Sequence, residues 1–281
     1  DISRESLQYN PVISKIRTAV AKRILGDLDK LSRSDEPAFL AFWGQFGAAV
    51  KEGLYDAAEH RDDILKICRF ATTHDDGKAH TSLDSYVERM KPDQKEIFYI
   101  SGENAEALSR SPQLEGFKKR GIEVLMFTDT IDDFWLQQVP DFKGKAFKSV
   151  TKGSVEFEGE KETAKTEEKK EFLDKLKEIL KDDVEDVRIS SRLTDSPSCL
   201  IAPDHGVDMH MERVLKLHQK YDAQTKPVLE INPAHALVQK METTSEGLED
   251  HAFLLLDMAS ILQGLPVKDP ARFNRIISAF L

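Results

Sequence analysis

An arginine and a glutamine near the start of the chain are the residues best suited to do chemistry. Arg4 and Gln8 stand four positions apart in the segment SRESLQYN, a spacing that places both on one side of the segment if it is helical. A guanidinium forms a planar fork that pairs with phosphoryl oxygens, and in GTPases such an arginine contributes on the order of 10³–10⁵ in rate. Taken alone, an arginine is most often a solvated charge, so this assignment depends on the rest of the sequence.

Other candidates for catalysis or metal binding are weak. The sequence contains no GxSxG, HExxH or GxGxxG motif, and Lys143-Gly144-Lys145 has Val139 in place of the upstream glycine of a phosphate-binding loop. His205 and His210 are five positions apart, which does not put both imidazoles on one helix face, and no cysteine complements them. We therefore predict no metal site and no cofactor bound by this segment.

Composition narrows the classes of protein. A chain of 281 residues with 40% hydrophobic and 32% charged residues is typical of a soluble protein of two domains. Cys68 and Cys199 lie far apart and in no CxxC pair, which favours a reducing cytosol over a disulfide framework. The first residue is Asp1 rather than Met, so we expect the sequence to be a segment of a longer protein.

Charge and hydropathy argue against two kinds of partner. The net charge is −10, and the 40 lysines and arginines form no basic cluster, so nucleic acid is not an expected partner. No apolar run approaches the roughly 20 residues that a membrane-spanning helix needs, and no signal peptide opens the chain. We therefore predict no membrane association.

The first third of the chain reads as helical. Asn10-Pro11 is a helix start, and apolar residues at helical spacing follow it to about Leu31. A second helix begins at Asp35-Glu36-Pro37, and a third covers Asp62–Ala71. We expect residues 1–72 to be a helical connector that carries the Arg4 segment.

The hydrophobic period changes in the middle of the chain. Ile97–Ile100, Ile122–Phe127 and Ala146–Thr151 are short runs rich in residues that favour strands, and Ile131–Gln138 reads as a short helix between two of them. Strands that alternate with helices indicate a small parallel or mixed sheet with crossover helices. We expect residues 73–155 to form a small α/β subdomain.

A charged stretch separates this subdomain from the last part of the chain. Residues 156–171 read EFEGEKETAKTEEKKE, which cannot bury much apolar surface and is the best domain boundary in the sequence. Residues 156–281 then form a carboxyl-terminal domain of mixed α/β type that ends in two helices. The predicted fold class is therefore α/β in the α+β sense. Within the last domain we predict strands at Val184–Ser191, Ser198–Ala202 and Val228–Asn232, and helices at Val207–Gln219, Gly247–Gln263 and from Asp269-Pro270 to Leu281.

Several separate motifs give the whole chain a family resemblance. Together with the SRESLQYN segment, they resemble the heat shock protein 90 chaperone family of the bacterial type, in the family's order and over the full length. The motifs are Glu96–Glu103 (EIFYISGE), Ser111-Pro112, Lys118–Leu125 (KKRGIEVL), Asp129–Asp133 (DTIDD), Lys148–Thr151 (KSVT), Met211–Arg213 (MER) and Leu229–Pro233 (LEINP).

The resemblance implies an ATP-dependent molecular chaperone that binds partly folded client proteins. In this family the arginine of the first motif contacts the terminal phosphate of ATP held in a separate N-terminal domain, and the glutamine supports it; these roles fall on Arg4 and Gln8. ATP and magnesium are then cofactors of the full-length protein, and we expect no ATP hydrolysis by this segment alone. The chain ends at Leu281 without an acidic tail, which indicates the bacterial type or an organellar relative, and of these we expect a cytoplasmic bacterial member.

Two segments are predicted to contact clients, because the family contacts clients there. The first is Asp133, Phe134, Trp135 and Gln137, where adjacent large apolar residues on a short helix point about 100° apart, so we expect only one aromatic ring to be exposed. The second is an amphipathic stripe on a helix that the resemblance projects into the cleft of a dimer: Val207, Met211, Val214 and Leu215. Before the resemblance is considered, such a stripe is more often core than binding site.

The last two helices are predicted to form a homodimer. Leu254–Leu256 cover too wide an arc for one buried stripe, and a helix with two apolar faces needs two partners. Two helices from each subunit satisfy both faces in a four-helix interface, as the resemblance also implies. The predicted interface residues are Leu254, Leu255, Met258, Leu262, Phe273, Ile276, Ile277 and Phe280.

Two other classes of function remain open from the residues alone. A small α/β enzyme with a helical dimerisation tail would need a convergent polar pocket, for which the sequence offers no constellation. A purely structural assembly module would differ from a chaperone in whether Phe134, Trp135 and the Met211 stripe are exposed, and full burial of all of them would favour it.

Overall fold

The computed structural model describes residues 10–155, 157, 169–219, 225–243 and 247–280, and in these ranges the chain forms twelve α-helices and nine strands. The helices are α1 (Pro11–Ser34), α2 (Glu36–Asp56), α3 (Arg61–Ile67), α4 (Leu83–Arg89), α5 (Ala105–Ser109), α6 (Glu115–Lys119), α7 (Thr130–Trp135), α8 (Lys170–Leu180), α9 (Met209–Gln219), α10 (Ala236–Thr243), α11 (Leu248–Leu262) and α12 (Pro270–Phe280). The strands are β1 (Phe70–Thr72), β2 (His80–Thr81), β3 (Ile97–Ser101), β4 (Leu125–Phe127), β5 (Asp141–Phe142), β6 (Lys145–Ser149), β7 (Asp186–Ile189), β8 (Ser198–Ile201) and β9 (Val228–Ile231). The predicted α+β fold class is confirmed.

The first two helices begin where their capping residues predict. The side chain of Asn10 accepts a hydrogen bond from the backbone N–H of Val12 at 2.8 Å, and that of Asp35 accepts one from Ala38 at 3.1 Å. A proline follows each cap within the first two helical positions, where its missing N–H costs nothing. The helices α1, α2 and α3 pack together around buried residues such as Phe39.

The first sheet has the strand order β2-β1-β4-β3-β6-β5. Its centre is parallel, because β3 pairs in parallel with both β4 and β6, and the outer pairs are antiparallel. Alternate residues of β3 enter opposite cores: Ile97 packs with α2, α3 and α7, whereas Phe98 packs with α5 and α6. The sheet therefore lies between two helical layers.

Sequence patterns misplaced the start of this sheet. The third helix ends at Ile67, and Phe70–Thr72 is a fully buried strand rather than the last turn of that helix. Ala71 and Thr72 pair with β4, so the sheet begins inside the segment predicted to be the helical connector. A run of three apolar and β-branched residues fits a buried strand as well as a helix, and long-range pairing decides between them.

The second sheet has the order β7-β9-β8, with β7 parallel and β8 antiparallel to the central β9. One face packs against α8, α10, α11 and α12 through residues such as Leu229 and Leu200. The other face carries a smaller apolar cluster that includes Cys199 and Ile201. All four residues of β9 are buried, as expected for a central strand with both faces covered.

Candidate functional site

The short helix α7 is held in place by a buried ion pair. Nζ of Lys51, on α2, lies 2.6 and 2.7 Å from the two carboxylate oxygens of Asp132 and 2.7 Å from Oδ2 of Asp129. The side chains of Lys51 and Asp132 are only 3% and 1% exposed. Burial lowers the pKa of Lys51, but the two carboxylates outweigh it and the net shift is upward. The carboxylates thus favour the charged form of Lys51, whereas burial raises the pKa of Asp132 against the opposing effect of Lys51 and of the Trp135 hydrogen bond. The contact joins α7 to α2.

Trp135 is fully buried, so the prediction that it belongs to an exposed client-contact surface is wrong. Its indole N–H donates to Oδ1 of Asp132 at 2.7 Å, and its rings pack against Phe70, Phe127 and Phe147. The neighbouring Phe134 is half-buried and Gln137 is exposed. One of the two adjacent aromatic residues thus enters the core and the other stays partly exposed, because helix geometry separates them by about 100°.

Asp133 points to the helix that carries the second predicted client-contact segment. It is buried, and its Oδ2 lies 2.7 Å from Nδ1 of His210 at the start of α9. The hydrogen bond with Asp133 raises the pKa of His210 above its ordinary value of 6.5, burial opposes this shift, and the charges of Asp133 and Asp208 add to it. The two segments, 77 residues apart in sequence, therefore lie side by side.

The start of α9 is fixed to the first sheet. Asp208 accepts hydrogen bonds from the hydroxyls of Ser149 at 2.5 Å and Thr151 at 2.6 Å, and from the backbone N–H of His210 at 2.9 Å. Met211 and Val214 are buried, whereas Val207 and Leu215 are partly exposed. The prediction that the whole stripe projects from the molecule is therefore corrected, because its two central residues are packed inside the chain.

A buried arginine joins the two sheets. Arg192 is fully buried and its Nε lies 2.9 Å from Oε2 of Glu230 on β9. Its guanidinium also donates to the backbone carbonyls of Val150 and Gly153, at 2.5 Å to Gly153, just after β6. Sequence reasoning missed this arginine and Lys51. The spacing does indicate that Lys51 is buried, because it follows Gly47 by four residues and Trp43 by eight and therefore shares the buried face of α2.

Helix α6 strengthens the same junction. The backbone N–H of Gly116 donates to the carbonyl of Arg192 at 2.6 Å. The carboxylate of Glu115 accepts bonds from the backbone N–H of Thr194 at 2.8 Å and the hydroxyl of Ser196 at 2.5 Å. These contacts hold the second sheet, and with it α9, against the sheet that carries α7.

The predicted dimer residues on the terminal helices differ in burial. Leu254, Leu255 and Ile276 are buried in the core of their own chain, so their assignment to a dimer surface is corrected. They are buried because α11 packs on β8, α8 and α12 at once. Met258 and Phe273 are half-buried against this core, and the side chain of Phe280 lies outside the described residues. The exposed apolar residues are Leu262, Ile277 and the unpredicted Ile261.

Comparison with known proteins decides the family. The family model described as Hsp90 protein matches residues 1–281, the whole chain. The chain belongs to the Hsp90 protein family. The resemblance found in the sequence motifs is thereby confirmed.

Bacterial members of the Hsp90 family are similar over the entire chain. The chaperone protein HtpG of Paramagnetospirillum magneticum is 44% identical over 98% of the chain and 46% of its own length. The HtpG proteins of Roseobacter denitrificans and Mesorhizobium japonicum are 40% and 41% identical over 100% of the chain and 48% and 46% of their lengths. The chain thus spans about half the length of the curated relatives it matches.

The catalytic residues predicted for this Hsp90 chain, Arg4 and Gln8, lie outside the described residues. Within the described ranges, no group of three or more histidine, cysteine, aspartate or glutamate side chains could hold a metal ion. His205 instead lies 3.2 Å from Glu185. None of the described helices is long and apolar enough to cross a membrane.

Proposed function

We propose that this chain is the client-binding and self-associating part of an ATP-dependent chaperone of the HtpG type. Family membership supports the chaperone class, and the whole-length similarity to HtpG proteins supports the bacterial type. We place the protein in the bacterial cytoplasm; its two buried cysteines, both free, are compatible with that compartment.

The half-buried Phe134 carries the proposal for client binding. It stands beside the exposed Gln137 on a helix whose other aromatic residue is locked in the core. Val207, two residues before α9, and Leu215, on α9, are partly exposed, and α9 contacts α7 through His210 and Asp133. An apolar side chain that stays accessible on a rigid helix can cover the apolar groups of a partly folded protein.

Binding of a permanently unfolded protein tests this proposal. We expect Phe134→Ser to weaken binding of reduced, carboxymethylated α-lactalbumin about tenfold, which corresponds to about 1.4 kcal/mol. Phe46→Ser is the matched control, because Phe46 is a phenylalanine 55% exposed on α2. Equal losses in the two variants would show that exposed apolar area in general, and not the α7 site, binds the client.

We also propose that the terminal helices form a homodimer through their exposed residues. Leu262 is 50% and Ile277 is 37% exposed, and with Ile261 they leave apolar surface that the described part of the chain does not cover. An obligate interface of this kind buries at least roughly 1,500 Å². Leu262→Lys combined with Ile277→Lys is expected to give monomers in sedimentation velocity, as is truncation after Leu265. Ile24→Lys, at an exposed position on α1, should remain dimeric.

The ATPase role of the first motif is a further part of the proposal. We infer that Arg4 contacts the terminal phosphate of ATP and that Gln8 supports this contact. ATP and magnesium would then be held by the separate N-terminal domain of the longer protein. The chain alone should then hydrolyse no ATP, and Arg4→Ala in the full-length protein should lower turnover by a factor on the order of 10³ or more. ATP turnover by the isolated chain that disappears with Arg4→Ala would contradict this arrangement.

A further inference from the structure

A groove of about 700 Å³ lies on the face of α9 that Met209, Arg213 and Lys216 form. This face is distinct from the stripe of Val207, Met211, Val214 and Leu215. The other walls are the carboxyl end of β3 with the following turn and α5, the end of β8, and the last turn of α11, where Ile261 and Leu262 also belong to the proposed dimer face. The volume lies within the range of about 300–1,000 Å³ that is typical of ligand sites.

The groove opens at the carboxyl ends of two neighbouring parallel strands of the first sheet, because Ile100 and Ser101 of β3 and Thr151, which follows β6, line it. In open α/β sheets, ligands bind beyond the carboxyl ends of the strands.

Ser101, the last residue of β3, lines this groove. It is only 8% exposed, and none of the described residues hydrogen-bonds its hydroxyl. A buried hydroxyl without a partner is unfavourable, so native proteins rarely keep one without a reason. A ligand group that donates to or accepts from Oγ would satisfy it.

Arg213 spans the mouth of the groove. Its Nη2 donates to the backbone carbonyl of Gln263 at 2.7 Å, which anchors the side chain to the end of α11. Its Nη1 lies 3.5 Å from Oε1 of Glu103, whose side chain is 76% exposed. A pair this long and this solvated contributes little, so a carboxylate from a ligand can replace Glu103 at the guanidinium.

We propose that the groove binds an extended segment of a client protein in which an acidic residue follows an apolar one. The apolar side chain enters between Leu108, Met209 and Leu265, the carboxylate pairs with Arg213, and Ser101 bonds the peptide main chain. The walls combine apolar side chains with the cations Arg213 and Lys216. The carboxylates that also line the groove, Glu103, Asp208 and Glu212, each have a partner within the protein. The inference rests on the proposed client binding, and α9 makes the groove continuous with the α7 site through His210.

Two labelled peptides test the charge recognition. Both are fluorescein-tagged nonapeptides with a central Leu-Phe pair, followed by aspartate in one and by asparagine in the other. We expect the wild-type chain to bind the aspartate peptide about tenfold more tightly, as a charge-assisted bond should give. Arg213→Gln should abolish this preference, whereas the control Arg110→Gln, at an exposed arginine paired with Glu106, should keep it. If Arg213 had only a structural role, Arg213→Gln would weaken the binding of both peptides alike.

A second pair of variants tests the location. Ala107 is exposed on α5 and lines the groove. Ala107→Trp should therefore fill the groove and weaken binding of the aspartate peptide at least about tenfold. Glu106→Trp places the same ring one position away, outside the lining, and should leave affinity unchanged. Wild-type affinity in Ala107→Trp, or no binding of the aspartate peptide by the wild type, would overturn the proposal.

The same samples separate this inference from the proposed function. Carboxymethylated α-lactalbumin should still bind to Ala107→Trp, since Phe134 and α7 are unchanged. If the groove variants leave peptide binding intact while Phe134→Ser loses the unfolded protein, the groove proposal fails and client binding at α7 stands. If the unfolded protein does not bind the wild type at all, client binding itself fails.

Discussion

Oδ2 of Asp133 lies 2.7 Å from Nδ1 of His210, and both side chains are largely buried. This contact joins α7, which carries Phe134, to the start of α9, and α9 in turn is anchored on Ser149 and Thr151 through Asp208. The relative position of the two candidate client-contact segments therefore depends on a titratable group. The charge of one imidazole links their packing to pH.

Stability should depend on pH through His210. Because the folded state raises the pKa of His210, the protonated form is favoured by folding, and its stabilising contribution is complete below the unfolded pKa of about 6.5. The contribution is lost as pH rises from there through the raised folded value. We expect the difference in free energy of unfolding between wild type and His210→Gln to shrink over this interval, measured by urea unfolding at several pH values.

His205→Gln is the control for this pH dependence. His205 pairs with Glu185 at 3.2 Å, but the side chains are 68% and 42% exposed, so solvent screens the interaction. The His205→Gln variant should unfold with a free energy close to that of the wild type. A direct titration of the His210 ring by NMR gives an independent check, and a folded pKa at or below 6.5 would contradict the proposed link.

Loss of the buried cation should destabilise the protein strongly. Lys51→Met leaves Asp132 buried without its cation, and breaking one side of a buried ion pair costs about 3–5 kcal/mol. The double variant Lys51→Met with Asp132→Leu removes both charges and should recover part of this loss. Complete recovery is not expected, because Asp132 also accepts the indole N–H of Trp135. Urea unfolding of both variants, compared with the wild type, measures these losses.

An exposed ion pair provides the comparison. Lys66 lies 3.0 Å from Asp63 with side chains 52% and 38% exposed, so Lys66→Met should cost less than about 1 kcal/mol. Similar losses for Lys51→Met and Lys66→Met would mean that burial of the Lys51 pair does not determine its contribution.

The sequence predicts elements well where the signals are local. Asn10 and Asp35 cap α1 and α2 because a side-chain oxygen and a following proline act within one helical turn. It predicts partners poorly where they are distant in the chain. Lys51 and Asp132 are 81 residues apart, and nothing local indicates that they meet.

The same limit explains the errors in the candidate surfaces. Leu254 and Leu255 form a wide apolar arc that fits either a dimer or a helix enclosed by its own chain, and packing on β8, α8 and α12 decides for the latter. An amphipathic stripe is usually part of a core, but the family resemblance predicts that Met211 is exposed. The structure shows that Met211 is buried. The spacing of residues shows which share a face, but not what covers the face.

Two glycines in helices should respond oppositely to the same substitution. A Cβ on Gly116 would lie 2.7 Å from the backbone oxygen and 2.9 Å from Cα of Arg192, and backbone cannot move aside cheaply. Gly116→Ala should therefore destabilise the protein by about 1–3 kcal/mol. A Cβ on Gly44, exposed on α2, would meet no atom of the described residues within 4 Å, so Gly44→Ala should stabilise the protein by up to about 1 kcal/mol through helix propensity.

Thermal and urea unfolding of both alanine variants check this pair. Gly116→Ala should also raise hydrogen exchange at the amide of residue 116, whose N–H donates to the carbonyl of Arg192 at 2.6 Å. If Gly116→Ala were as stable as Gly44→Ala, the close contact between α6 and the second sheet would not be as tight as the distances indicate.

Trp135 and Phe134 should separate stability from binding. Trp135→Ala empties a site among Phe70, Phe127 and Phe147 and leaves Asp132 without the indole donor, so we expect a loss of about 3–5 kcal/mol in free energy of unfolding. Phe134→Ala removes a ring that is only half-buried and should cost clearly less. Binding should show the reverse order when both variants are compared under conditions in which they remain folded: Phe134→Ala weakens the complex with carboxymethylated α-lactalbumin, and Trp135→Ala retains it. The prediction would be contradicted if a folded Trp135→Ala protein lost client binding while Phe134→Ala kept it. That result would mean that Trp135, and not Phe134, belongs to the contact surface.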